Sequence, residues 1–203
     1  MSEGIVRMTD ADVERVVPAL VRSFDGDPLF GWIEPRPEPR AAFVEAFMRA
    51  LAWRSHLFAE AFTTAPEPLG ASLWKGPDLG RLSPQQLARC GLDRVDDVLD
   101  AAARERFAAV DVVEDVLEEK VPLPRWYLGV LGVDPTHQAR GWGARLMKPI
   151  LDRADAAGLP VSLETMREGN VAYYHRHGFE VAARFEVAAG APACWVMRRP
   201  AQS

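Results

Sequence analysis

One stretch constrains this chain more than any other: the apolar run Trp126–Val133, a glycine-bearing loop after it, and then a helical repeat. A run this apolar is expected of a strand buried on both faces. The loop spans residues 134–140. The helix is predicted over about 141–157, with Leu146, Met147, Ile150, Leu151 and Ala154 as its inward stripe and Gly158 as its stop. Pro149 removes one backbone hydrogen bond within it and predicts a kink. The junction reads Gln138-Ala139-Arg140-Gly141-Trp142-Gly143-Ala144. Glycines let a ligand approach the main chain closely, and successive amides at a helix N-terminus favour an anion by about 0.3–1 kcal/mol per charge. Arg140, Arg145 and Lys148 add cationic groups at the same end. Alone, such a motif reads more readily as a turn with solvated basic side chains than as a ligand loop. Two nucleotide fingerprints fail here: GxGxxG needs a glycine where Leu146 stands, and GxxxxGK[ST] is absent.

The rest of the chain supplies strands and helices around this unit. Residues 4–8 form a strand candidate, and Thr9 with Asp12 caps a helix whose stripe is Val13, Val16, Val17, Leu20 and Val21. That helix ends near Phe24, before the turn residues Asp25-Gly26-Asp27-Pro28. Residues 35–39 read as a rigid proline connector, followed by a helix marked by Phe43, Phe47, Met48, Leu51 and Ala52. Strands at 57–63 and 70–74 flank a hairpin turn at 66–68. Residues 83–119 shift to Ala, Leu, Arg, Asp and Glu and predict two or more helices inserted between strands. Beyond the central helix come a strand at 161–166 and a short helix at 170–177 ending at Gly178. An alternating strand with Phe179, Val181, Ala183, Phe185 and Val187 on one face follows, and a last strand at 194–198. The plan is mixed α/β in one domain, residues 1–203.

The loop segment resembles the acyl-CoA loop of the GNAT superfamily of N-acetyltransferases, Q/R-x-x-G-x-G/A after a strand ending in V-x-P. Val133-Asp134-Pro135 and Gln138 to Gly143 match every position. Residues 170–179, with Asn170, Tyr174, Gly178 and Phe179, are similar to the family's N-x-x-x-Y-x-x-x-G-F. The stretch from Trp126 to Arg198 looks most like the puromycin N-acetyltransferase group, including Leu163-Glu164-Thr165 and Trp195-Val196-Met197. The resemblance implies an α/β (α+β) fold: a mixed, mostly antiparallel sheet of about seven strands flanked by helices, with a helical insertion before the cofactor strand. It implies acetyl-CoA as co-substrate and a small-molecule amine as acceptor, an antibiotic among the candidates.

Residue roles follow from the same resemblance. Gln138, Ala139, Arg140, Gly141, Trp142, Gly143 and Ala144 would hold the CoA diphosphate through their amides. Leu131, Gly132 and Val133 would pair with the pantetheine arm, Leu131 offering an amide to the acetyl carbonyl. Asn170 orders the loop or contacts that arm. Tyr174 takes the family's acid position, a phenol protonated at neutral pH. Glu164, a carboxylate in an apolar strand, is the candidate base, or equally a structural partner of Arg167. Asp27, Phe30, Trp32 and Trp74, with Asp25, are candidates for an amine pocket, though each taken singly reads as a core aromatic or turn carboxylate. Tyr173 is expected to pack.

Composition removes other classes. A net charge of −5 without a basic block disfavours nucleic acid, and no long uninterrupted apolar stretch or signal core points to a membrane, so a cytoplasmic location is expected. Cys90 and Cys194 lack metal spacing and no metal is expected; His175 and His177 stand two apart and face different ways. A homodimer is compatible with this reading. Two alternatives remain: an acyl-CoA-binding sensor without chemistry, and an interaction protein presenting an apolar groove on its 83–119 insertion.

Overall fold

The structure is a computed structural model and describes residues 4–202; residues 1–3, part of the stretch read above for a signal core, and 203 lie outside it. In chain order the elements are β1 (Gly4–Arg7), α1 (Asp10–Ser23), α2 (Pro28–Ile33), α3 (Pro37–Phe58), β2 (Glu60–Ala65), β3 (Gly70–Lys75), α4 (Pro84–Cys90), α5 (Ala101–Ala108), α6 (Val112–Lys120), β4 (Trp126–Val133), α7 (Trp142–Ala157), β5 (Val161–Thr165), α8 (Glu168–His175), β6 (Glu180–Glu186) and β7 (Ala193–Arg199). The seven strands form one sheet in the order β1-β2-β3-β4-β5-β7-β6. Every neighbouring pair is antiparallel except β4 and β5. This is the mixed, mostly antiparallel sheet that the resemblance implies.

Local chemistry accounts for the elements that frame the site. Thr9 and Asp12 close a capping box on α1, with the Thr9 amide 3.0 Å from Asp12 Oδ2. The predicted stripe Val13, Val16, Val17 and Leu20 is buried. It joins Leu73 and Val130 of the sheet and Phe43 and Met48 of α3 in one apolar layer. On the opposite face, Leu146, Met147 and Ile150 of α7 pack with Leu128, Leu163, Phe179 and Met197. Gly141 and Gly158 bound α7 with left-handed backbone, at φ of 78° and 66°.

Three expectations differ from the structure. The Asp27-Pro28 turn opens a short helix, α2, because Asp27 accepts from the Leu29 amide at 3.0 Å and Pro28 fits the first helical position. The prolines at 37 and 39 likewise start α3 instead of holding a connector apart, and α3 runs to Phe58, so β2 begins three residues later than predicted. The even alternation along β6 is broken by a register shift between Val181 and Ala183. The extra residue changes the facing from Ala183 onward; Val181, at the shift, stays 41% exposed, whereas Phe179, ahead of the strand, is buried.

The 83–119 insertion lies against the sheet. Val95, Leu99 and Ala103 join the α1/α3 layer, and Val113 and Leu117 of α6 cover Cys194 and Val196 of β7. Arg106 of α5 donates to the Ile33 carbonyl at 2.8 Å, bracing α2 from behind.

Candidate active site

The sheet opens at its one parallel junction. β4 and β5 pair only at Trp126–Val161, Tyr127–Ser162 and Leu128–Leu163. Beyond this, Val130 to Val133 stay with β3 while Glu164 and Thr165 stay with β7, so the two strands part. A bulge marks the fork: Leu73 and Trp74 are adjacent on β3 but face Val130 and Leu128, leaving Gly129 unopposed. A Cβ on Gly129 would stand 2.8 Å from Arg54 Nη2 and 3.1 Å from Tyr127 Cε1, so a side chain there would have to displace both.

From the open end of β4 the chain turns into the phosphate-type loop. Asp134 anchors the turn, accepting from the Thr136 amide at 3.0 Å and from Arg22 Nε at 2.7 Å, and Gln138 Nε2 donates to the Val133 carbonyl at 3.0 Å. Its Thr136 and Arg22 partners hold the Asp134 carboxyl well below the usual carboxylate range. Gln138 thus secures the strand end with its side chain. Ala139 and Gly141 both take left-handed backbone, at φ of 60° and 78°. Such reversals turn successive N–H groups to one side, the form of an anion nest. Among the described residues, none accepts a hydrogen bond from the main-chain N–H groups of Ala139 to Ala144. Trp142 is buried with the Arg145 guanidinium 4.1 Å above its ring, and Lys148 is paired with Asp152 at 2.7 Å.

A cleft of about 470 Å³ runs from this loop along the open edge of β4. Its walls include Leu131, Gly132, Val133, Gln138, Ala139, Gly141, Trp142, Gly143 and Ala144, with Asn170, Tyr173 and Tyr174 from α8 opposite. Arg140 donates instead to the Thr136 carbonyl at 3.3 Å, on the outer side. Asn170 donates to Thr165 Oγ1 at 3.2 Å, tying α8 to the end of β5. Tyr174 is buried against Phe179, with ring centroids 5.7 Å apart, and among the described residues none hydrogen-bonds its hydroxyl. Burial pushes this phenol up, with Tyr173 and Glu164 adding to the effect, so it stays protonated. Tyr173 does more than pack: its hydroxyl sits against the first turn of α7, 2.6 Å from where a Gly143 Cβ would be.

Glu164 lies on the other face of β5 and does not line the cleft. Tyr127 donates to its Oε1 at 2.8 Å, while Oε2 is shut off from solvent without a partner. Its carboxyl is pushed up to about 7, chiefly by burial. Arg167, the alternative partner read from sequence, goes elsewhere. It reaches Asp27 Oδ2 at 3.2 Å and the Asp25 carbonyl at 2.8 Å, fastening the β5–α8 junction to the α1–α2 turn.

The predicted amine-pocket residues divide. Asp27 and Phe24 line both the first cleft and a second cavity of about 600 Å³, which Asp25 and Phe30 also line. Burial pushes the Asp27 carboxyl up against the pull of Leu29 and Arg167. Trp74 is no pocket residue: it is fully buried in the α7 layer, because β3 turns it to that face. Trp32 packs against the α1/α3 core and borders neither cavity. Ser23, Phe24 and Arg176 on the cleft carry no local sequence signal; they arrive there through α1 and α8.

A family model described as the acetyltransferase (GNAT) family matches residues 102–179, which include the open strand, the loop and α8. Over those residues the chain matches the GNAT acetyltransferase family, and its fold is that of solved GNAT structures. Among curated relatives, an uncharacterised N-acetyltransferase of Schizosaccharomyces pombe is 28% identical over 180 residues, covering 85% of the chain and 72% of the relative. Among solved structures, one described as histone acetyltransferase HPA2 and related acetyltransferase from Corynebacterium glutamicum superposes with a TM-score of 0.69 at 22% identity, over 100% of this chain and 98% of that one. Arylalkylamine N-acetyltransferase 2 of Aedes aegypti gives 0.67 at 10% identity over the whole of both chains. Among the described residues no helix is long and apolar enough to cross a membrane.

Proposed function

We propose that this chain transfers an acetyl group from acetyl-CoA to a primary amine of a small molecule by direct attack within a ternary complex. The observation that carries the reading is the row of unpartnered N–H groups from Ala139 to Ala144, at the mouth of a cleft that ends at a protonated tyrosine. That row fits a diphosphate, and the unpaired edge of Leu131 to Val133 fits an extended amide-bearing arm. Acetyl-CoA supplies an activated acyl carbon and a thiolate leaving group. The chain's own residues have three tasks. Leu131, beyond the bulge, offers its main-chain amide to the acyl oxygen. Glu164 takes the proton of the incoming ammonium, relayed because its carboxyl stands behind the cleft wall. Once the C–N bond has formed, Tyr174 gives its proton to the departing sulfur as the C–S bond breaks and regains one from the acylated nitrogen, which leaves as the neutral amide.

The acceptor enters from the second cavity, whose lining includes Asp27, Phe24 and Phe30. A carboxylate in a cavity that also carries aromatic rings suits a cationic amine on an apolar body. The similarity to an arylalkylamine enzyme and the resemblance to the puromycin group both support an amine of that class, an antibiotic included. The test is thiol release from acetyl-CoA against antibiotic amines, arylalkylamines, polyamines and peptide amines, beside calorimetry with CoA. Tyr174→Phe is expected to bind CoA as the parent does and to lower kcat by about 100-fold. Unchanged turnover removes Tyr174 from the acid role. CoA binding with no amine turned over makes the chain a sensor, and absence of heat with CoA sinks both readings.

A further inference from the structure

We propose that Tyr127 is the positioning residue of the base: from β4 it holds Oε1 of Glu164 and leaves Oε2 as the carboxylate oxygen without a hydrogen-bond partner among the described residues. The inference rests on the reading of Glu164 as base but adds a residue that no part of that reading requires. Tyr127 occupies the last-but-one pair before the strands part, and Glu164 is the first residue of β5 past the fork, so a rigid join holds donor and acceptor together. The hydrogen bond is 2.8 Å long and part-buried. Lys75, itself held by Glu114 at 2.9 Å, lies 5.5 Å from the centre of the Tyr127 ring and keeps the phenol in place from the other side. Arg54, over nine-tenths buried, leaves Nε and Nη2 unpaired in the same interior.

The groups facing Glu164 are Arg54 from α3, Lys75 from β3, Tyr127 from β4, Glu114 from α6, Tyr174 from α8 and Cys194 from β7. Burial and Glu114 oppose ionisation, while Tyr127, Lys75 and Arg54 favour it. Tyr127 is the neutral member of the set that bonds to the carboxylate directly, so removing its hydroxyl withdraws support from the ionised form alone.

The experiment follows the Glu164 carboxyl by carbon NMR in the free protein, and the acid limb of kcat/KM with an active amine. Tyr127→Phe, which keeps the ring, is expected to move both midpoints up by about one pH unit and to leave the KM for acetyl-CoA unchanged. A 3-fluorotyrosine placed at position 127, a stronger donor of the same shape, is expected to move them down. A purely structural tyrosine gives no such opposed pair. Midpoints that stay in place, or move the same way in both variants, overturn the proposal; if Tyr127→Phe does not fold, the fluorinated protein decides it alone. Glu164→Gln separates the two levels. If that variant keeps the acid limb, the reading of Glu164 as base has failed. If it loses the limb while the Tyr127 variants leave the midpoint in place, only the present inference has failed.

Discussion

Glu164 is an ionisable side chain placed where ionisation is costly. Burial foremost, with Glu114, lifts its carboxyl from an ordinary value of 4.5 to about 7. Between those two pH values the folded protein holds a proton that the unfolded chain has released. The stability this contributes is complete below pH 4.5 and is lost as pH rises through 7. The parent protein should therefore weaken relative to Glu164→Gln over that window, by at most on the order of 3 kcal/mol. Urea unfolding of both proteins at pH 5 and pH 8 reads this, and an equal difference at the two pH values would contradict it. Tyr174 and Glu164 were legible in the sequence, one through a motif and one as a charge in an apolar strand. Tyr127 and Arg54 were not, because their contacts join residues far apart in the chain and leave no local pattern. Trp74 misled for the converse reason: an aromatic in a strand reads the same whether its face meets a cavity or a helix.

Elements depended on glycine and proline in ways that differed by position. Gly141 was legible as a ligand-approach glycine, and its left-handed backbone bears on that directly. Gly141→Ala should strain the turn by roughly 1–2 kcal/mol and, by turning the amides away, weaken CoA binding about tenfold in calorimetry. Gly129 was not legible, since an apolar run conceals which residue a neighbouring strand leaves unopposed. Gly129→Ala should lower unfolding free energy by about 1–3 kcal/mol, because its methyl would meet Arg54 and Tyr127 at less than contact distance. A melting temperature equal to the parent's would show that the bulge tolerates a side chain. Pro28 reads as a turn residue and the prolines at 37 and 39 as a connector, yet each stands in the first turn of a helix, where its missing N–H costs nothing.

At the scale of the whole molecule, the insertion is part of the fold. Leu117 is 1% exposed beneath α6, so Leu117→Ala should cost about 2–5 kcal/mol in denaturant unfolding, whereas an appended module would barely register the change. Strand order could be expected only through family resemblance, because periodicity identifies strands and not their neighbours. The join of β4 to β5 carries a mechanical consequence. Three rungs hold the left and right halves of the sheet at their common seam. A ligand lodged in the fork would act as a staple across it. Amide exchange at residues 129–133 and 164–165 should then slow together on loading, as two panels clamped by one pin.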